Sequence, residues 1–178
     1  MTEYYFDIET YSKGNIPNPD TDKIISIQFQ KLDSSIGKPI GGLQILKEWE
    51  SSEESIIIQF FPLFKQWDFI PVGMNLTFER EFLISKFKKY INSNITSREF
   101  YYNFPSIDVQ PILVLLNGGN FKGAKLNAFT NKKQDGSKIR EWYENKEFNK
   151  IEEYIKQESK SFIEFYQKIK KNIKSLIE

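Results

Sequence analysis

The stretch EYYFDIET, Glu3 to Thr10, constrains the fold more than any other part of the chain. Its aromatic and β-branched residues favour an extended backbone. In a strand, residues i and i+2 share a face, so Phe6 and Ile8 point one way while Asp7 and Glu9 point the other. Two adjacent like charges repel, and burying them unpaired is costly. A fold built around this strand therefore needs something positive between the two carboxylates.

The composition narrows what that can be. The chain has 178 residues, enough for a single domain spanning 1–178 with a proper core, and its formal net charge is only +1. No global basic field draws in a polyanion, so any nucleic-acid site must be local. Cysteine and histidine are both absent. That excludes disulfides, thiolate and imidazole metal sites, Cys nucleophiles and Ser–His–Asp triads. Carboxylates, Tyr and Lys remain for metal binding or acid–base work. The first residues lack the basic and apolar regions of a signal peptide, and no apolar run reaches membrane-spanning length. A soluble, intracellular (cytoplasmic) chain with no membrane partner is expected.

Periodicity gives the organisation. Residues 3–9 read as a strand, IISIQFQKL as a second and GGLQIL as a short third. SSEESIIIQFFPLFKQW reads as a helix, with capping-box spacing at Ser51 and Glu54, Ile56, Phe60, Phe64 and Trp67 near one face, and a kink expected at Pro62. DFIPVGMN resembles a buried strand ending at Gly73, and Phe78 to about Tyr90 a helix with Phe82, Leu83 and Phe87 inward. FYYNF reads as an aromatic strand, more often core than a stacking platform for single-stranded nucleic acid. Asp108 precedes a short helix with Pro111 in its first turn, and is better read as a cap than as a catalytic group. Short helices joined by the loop NKKQDGSK follow. Residues 148–177 form a long C-terminal helix with a stripe through Ile151, Ile155, Phe162, Phe165/Tyr166, Ile169, Ile173 and Leu176. The lysine-rich SKFKKY and KIKKNIKS read as solvated helix faces. Strands first, then helices alternating with a strand, then helices: an α/β domain.

One residue interrupts the last stripe. Glu158 lies between Ile155 and Phe162, with Tyr154 one turn earlier on the same side. Together with Asp7, Glu9 and Glu79 it makes an oxygen-only set suited to Mg²⁺ or Mn²⁺. Two such ions about 4 Å apart can stabilise the attacking and leaving oxygens of a phosphodiester displacement. A Tyr hydroxyl beside the attacking water could position it, which matters where no His can serve as base.

YYFDIET, GMNLTFE and YIKQE resemble, in order and spacing, the three motifs of the DEDD (DnaQ-like) superfamily of 3′→5′ exonucleases, in its Tyr-type branch. PNPDTDKIISIQF and the segment from Ile45 to Asn75 look like the proofreading exonuclease domain of family B DNA polymerases. The resemblance implies an RNase H-like fold with a central five-stranded mixed sheet flanked by helices, the first three strands forming an antiparallel meander. It implies two Mg²⁺ or Mn²⁺ ions. Asp7 would bridge them, Glu9 and Glu158 would hold one and Glu79 the other, and Tyr154 would orient water. Asn75 and Phe78 would touch the 3′-terminal nucleotides, and Thr10 and Tyr11 would line the base pocket. The expected substrate is a single-stranded or frayed 3′ end of DNA, with RNA an open alternative.

The chain departs from the family at two positions, where Glu79 and Glu158 stand in place of Asp. The added methylene moves each carboxylate, and a misplacement of about 1 Å can cost on the order of 100-fold in rate. Two further readings therefore stand beside the exonuclease. One is an exonuclease-like domain that binds nucleic acid or protein without cutting, and the other a related nuclease that cuts internally. Glu81 is the competing candidate for the role given to Glu79, Phe78 has ordinary packing as its alternative, and Glu79 could simply complement a helix dipole.

Overall fold

A computed structural model describes residues 2–14, 16–66, 68–130 and 136–173. Its sheet has five strands in the order β3-β2-β1-β4-β5, comprising β1 (Thr2–Tyr11), β2 (Lys23–Leu32), β3 (Gln44–Lys47), β4 (Phe69–Gly73) and β5 (Ile107–Asp108). β1, β2 and β3 form the antiparallel meander, while β4 and β5 run parallel to β1 and its order. The sheet is therefore mixed, as expected.

Helices cover both faces. Tyr4, Phe6 and Ile8 of β1 point to α1 (Glu53–Phe64) and α2 (Leu76–Ile91), joining a core with Ile56, Phe60, Phe64, Phe82 and Phe87. Tyr5 points the other way, to Phe162 and Tyr166 of α7 (Phe148–Ile173). The ring centroids of Tyr5 and Phe162 are 5.3 Å apart. α7 buries Ile151, Ile155, Phe162, Phe165 and Tyr166 as its stripe predicts, but Ile173 is exposed, so the packed stripe ends before it. Leu176 and Trp67 lie outside the described residues, as does most of the NKKQDGSK loop.

Several local expectations need correcting. α1 starts one residue later than its sequence spacing suggests: Ser52, not Ser51, is the cap, accepting from the Ser55 N–H at 3.1 Å. Glu53 then falls in the first turn and is buried, where it accepts from the Ile24 N–H at 2.8 Å and the Tyr90 hydroxyl at 2.5 Å. Its cationic partners are Lys86, buried and 3.4 Å away, and the exposed Lys89 at 3.7 Å. Lys86 is thus not part of a solvated lysine face but a buried ion-pair member, also donating to the Asp22 carbonyl at 2.5 Å. Pro62 sits in the last turn of α1, which ends two residues later at Phe64.

FYYNF is not a strand. It belongs to α3 (Ser97–Asn103), opened by a capping box between Thr96 and Glu99 that outweighs the β preference of its aromatics. α4 (Gln110–Leu116), α5 (Leu126–Phe129) and α6 (Ile139–Glu144) complete the order.

Three details fix the start of α2. A Cβ on Gly73 would lie 2.6 Å from the Phe6 carbonyl, so only glycine lets the end of β4 approach β1 this closely. Asn75 then turns the chain with φ +62°, a conformation Asn tolerates, and offers no side-chain cap. The cap comes from β5: the Asp108 carboxylate accepts from the N–H groups of Asn75 (2.9 Å), Leu76 (3.0 Å) and Gln110 (2.9 Å). Asp108 is a cap, as the sequence suggests, but of two helices at once.

Asp108→Ala leaves these N–H donors without their acceptor and is expected to cost about 2 kcal/mol, lowering Tm by about 4–8 °C. Thermal denaturation followed by circular dichroism checks this.

Candidate metal centre

β1 outruns its neighbour β4, which pairs only with Thr2 to Tyr5. Asp7 and Glu9 therefore lie past the end of β4, near the start of α2. On the other side β2 still pairs with them, setting Gln28 opposite Asp7 and Ser26 opposite Glu9. The pairing then slips between Glu9 and Thr10, where Ile25 is extra on β2; such bulges bend a strand and re-aim its side chains.

Ser26 and Gln28 are both fully buried polar residues, and they form a chain. The Ser26 hydroxyl donates to Gln28 Oε1 at 3.1 Å, and Gln28 Nε2 donates to Asp7 Oδ2 at 3.1 Å. The Tyr5 hydroxyl reaches the same oxygen at 3.3 Å. One oxygen of Asp7 is thus held by the sheet itself. Sequence reasoning missed Ser26, Gln28 and Tyr5 as supports, although two polar residues at i, i+2 within IISIQFQ were the available signal.

α7 brings up the third carboxylate. Asp7, Glu9 and Glu158 each offer an oxygen, and these lie within 4.8 Å of one another. All three are half-buried. Tyr154 is one turn before Glu158 and buried. Its phenol is pushed far above the ordinary tyrosine range by burial, then by the charges of Glu9 and Glu158. Burial, followed by Asp7 and Glu158, does the same to Tyr5.

Glu79, on the first turn of α2, is only 5% exposed, whereas Glu81 is exposed and takes no part. The Glu79 carboxyl is driven well above the usual carboxylate range, first by burial and then by Asp7, with which it hydrogen bonds. Its Oε2 is buried with no hydrogen-bond partner among the described residues. A buried carboxylate oxygen left over beside a three-carboxylate cluster fits a divalent cation: the donor set is all oxygen, and that atom has no hydrogen-bond partner among the described residues.

The remaining candidates are less concentrated. Asn75 is exposed at the mouth of α2, and Phe78 is half-buried with its ring 4.8 Å from that of Phe82. Thr10 is half-buried past the bulge. Tyr11 is engaged with α6, its ring 4.8 Å from Tyr143 and its hydroxyl donating to Glu144 at 3.1 Å.

No family model and no curated protein sequence matches the chain. Solved structures do. E. coli exonuclease I in complex with a dT13 oligonucleotide superposes with a TM-score of 0.56 at 13% identity, covering 71% of this chain and 34% of that one. Exonuclease I in complex with the inhibitor BCBP gives 0.55 at 13% identity (71% and 35%), and the apo enzyme 0.51 at 14% (71% and 36%). The chain spans about a third of the length of these structures. The likeness establishes the fold of the RNase H-like exonucleases. No helix among the described residues is long and apolar enough to cross a membrane.

The raised carboxyl of Glu79 has a consequence for stability without metal. The folded state holds a proton there that the unfolded chain releases near pH 4.5. The stability that this one group contributes is therefore fullest below that value and falls as pH rises towards the folded-state pKa. In EDTA, Tm should drop between pH 5 and pH 8 in the wild type and drop less in Glu79→Gln, which carries no proton to lose; paired thermal melts measure the difference.

Proposed function

We propose that the protein is a 3′→5′ exonuclease of the Tyr-type DEDD kind, removing nucleotides from the 3′ ends of DNA with the help of two Mg²⁺ or Mn²⁺ ions. The observation that carries the reading is the meeting of Asp7, Glu9 and Glu158 from a strand and a distant helix, with Tyr154 beside them. Supporting it, the exonuclease I structures that share this fold include complexes with dT13 and dA16 oligonucleotides and a zinc-bound single-stranded DNA complex.

Asp7 would contribute to both ions, with Glu9 and Glu158 completing one set and Glu79 the other. Bound there, divalent cations lower the pKa of water and offset charge on the departing oxygen. The protein's own part is positional. Gln28 and Tyr5 hold Asp7 Oδ2, so the carboxylate keeps its orientation when ions and substrate arrive. Tyr154, held neutral, donates its hydroxyl proton in a hydrogen bond and fixes the attacking water; it does not serve as the base. Asn75, exposed at the start of α2, and Phe78 would contact the terminal nucleotide, and Thr10, half-buried past the bulge, would line the base pocket.

Digestion of 5′-labelled single-stranded DNA and the matching RNA with Mg²⁺, Mn²⁺ or EDTA tests this. A metal-dependent ladder of 3′-shortened products is expected, abolished by EDTA, lowered by more than about 100-fold in Asp7→Ala and by about 100-fold in Tyr154→Phe. Internal fragments, or no cleavage from folded protein under any metal, would overturn it.

A further inference from the structure

α3 presents two tyrosines to solvent side by side. Tyr101 is 68% exposed and Tyr102 71%, and their ring centroids are 5.5 Å apart in an edge-on arrangement. Phe100 is the residue that anchors the helix, buried against Phe64, so neither tyrosine is needed for packing. Each is paired with an arginine: the Arg80 guanidinium lies 6.0 Å from the Tyr101 ring and that of Arg98 5.8 Å from the Tyr102 ring. Glu99, the acid within this helix, is committed to its capping box, accepting from the Thr96 N–H and hydroxyl.

The patch adjoins Glu79. Arg80 directly follows Glu79, and both line one cavity of about 150 Å³ with Tyr101, Thr77, Ser106 and Asp108. Arg80 Nη2 donates to Thr77 at 3.3 Å, while its buried Nε finds no acceptor among the described residues. Exposed aromatic rings coupled to guanidinium groups supply the two things a single strand offers partners for, base faces and phosphates. A duplex, with its bases already stacked, can use only the charges.

We infer that Tyr101, Tyr102, Arg80 and Arg98 form a track for single-stranded DNA, holding nucleotides upstream of the 3′ end that the carboxylate centre attacks. The two rings stack on bases, and the two guanidinium groups contact the phosphates between them. This rests on the exonuclease reading for its polarity, but the binding itself needs no cleavage.

The test is fluorescence anisotropy with a 5′-labelled dT20 and the cleavage-silenced Asp7→Ala protein, with and without Tyr101→Ala and Tyr102→Ala. Loss of each ring is expected to weaken binding about tenfold, and Arg98→Gln to reduce the slope of log affinity against log salt by about one. Both tyrosines are exposed, so unchanged circular dichroism should accompany the loss. Binding of dT20 that changes less than twofold in the double tyrosine variant would overturn the track, as would equal affinity for a blunt duplex or no binding at all. The digestion of DNA by the wild-type chain is scored separately, so an active enzyme with an unaltered double variant sinks the track alone. An inactive one whose dT20 binding still depends on both tyrosines sinks the exonuclease reading alone.

Discussion

The structure is organised by one electrostatic problem: the face of β1 that packs on α7 carries Glu3, Asp7 and Glu9 among its apolar residues. Each is handled by different means. Glu3 is closed off as an ordinary structural ion pair, bonded by Lys170 at 2.5 Å and the Tyr166 hydroxyl at 2.8 Å. Asp7 receives two neutral donors, Gln28 and Tyr5, which orient it without cancelling its charge. Glu9 and Asp7 are then joined by a further carboxylate, Glu158, where a stable core would supply a cation. The same strand and helix thus meet the problem with a lysine at one end and gather three carboxylates at the other. Burying like charges in this way costs stability, and proteins keep such arrangements where the cost serves a site.

The second organising element is the start of α2. Gly73 lets β4 end against β1, Asn75 turns the chain, and Asp108 caps the new helix from β5. Glu79 follows in the first turn of the helix these residues start; its carboxyl is buried beside Asp7, and its Oε2 finds no hydrogen-bond partner among the described residues.

Much of this was legible in the sequence because it rests on short-range rules. The period-two alternation of FDIET gave the acid face of β1, and a 3.6-residue stripe interrupted at Glu158 gave the inward acid of α7. What the sequence concealed depends on tertiary neighbours. Lys86 reads as one lysine among several in SKFKKY, and only the arrival of Glu53 and the Asp22 carbonyl makes it a buried one. FYYNF has strand-like composition, but a capping box at Thr96 and one buried ring, Phe100, are enough to make it helical. Gln28 looks like any polar residue on a half-exposed strand until its register partner proves to be Asp7. The register itself is not written in β2, since it follows from a turn and a bulge.

Glu79 and Glu158, the two glutamates that stand where the motifs the sequence resembles have Asp, are placed differently. Glu158 projects from a long, well-packed helix that approaches β1 side-on, and its extra methylene is taken up within a cluster whose oxygens stay within 4.8 Å of one another. Glu79 starts from the first turn of α2 and is buried, and its carboxyl is in hydrogen-bonding contact with Asp7. Burial first, and the neighbouring Asp7 next, drive the Glu79 carboxyl well above the usual carboxylate range, whereas Glu158 meets Asp7 and Glu9 in a cluster that is only half-buried.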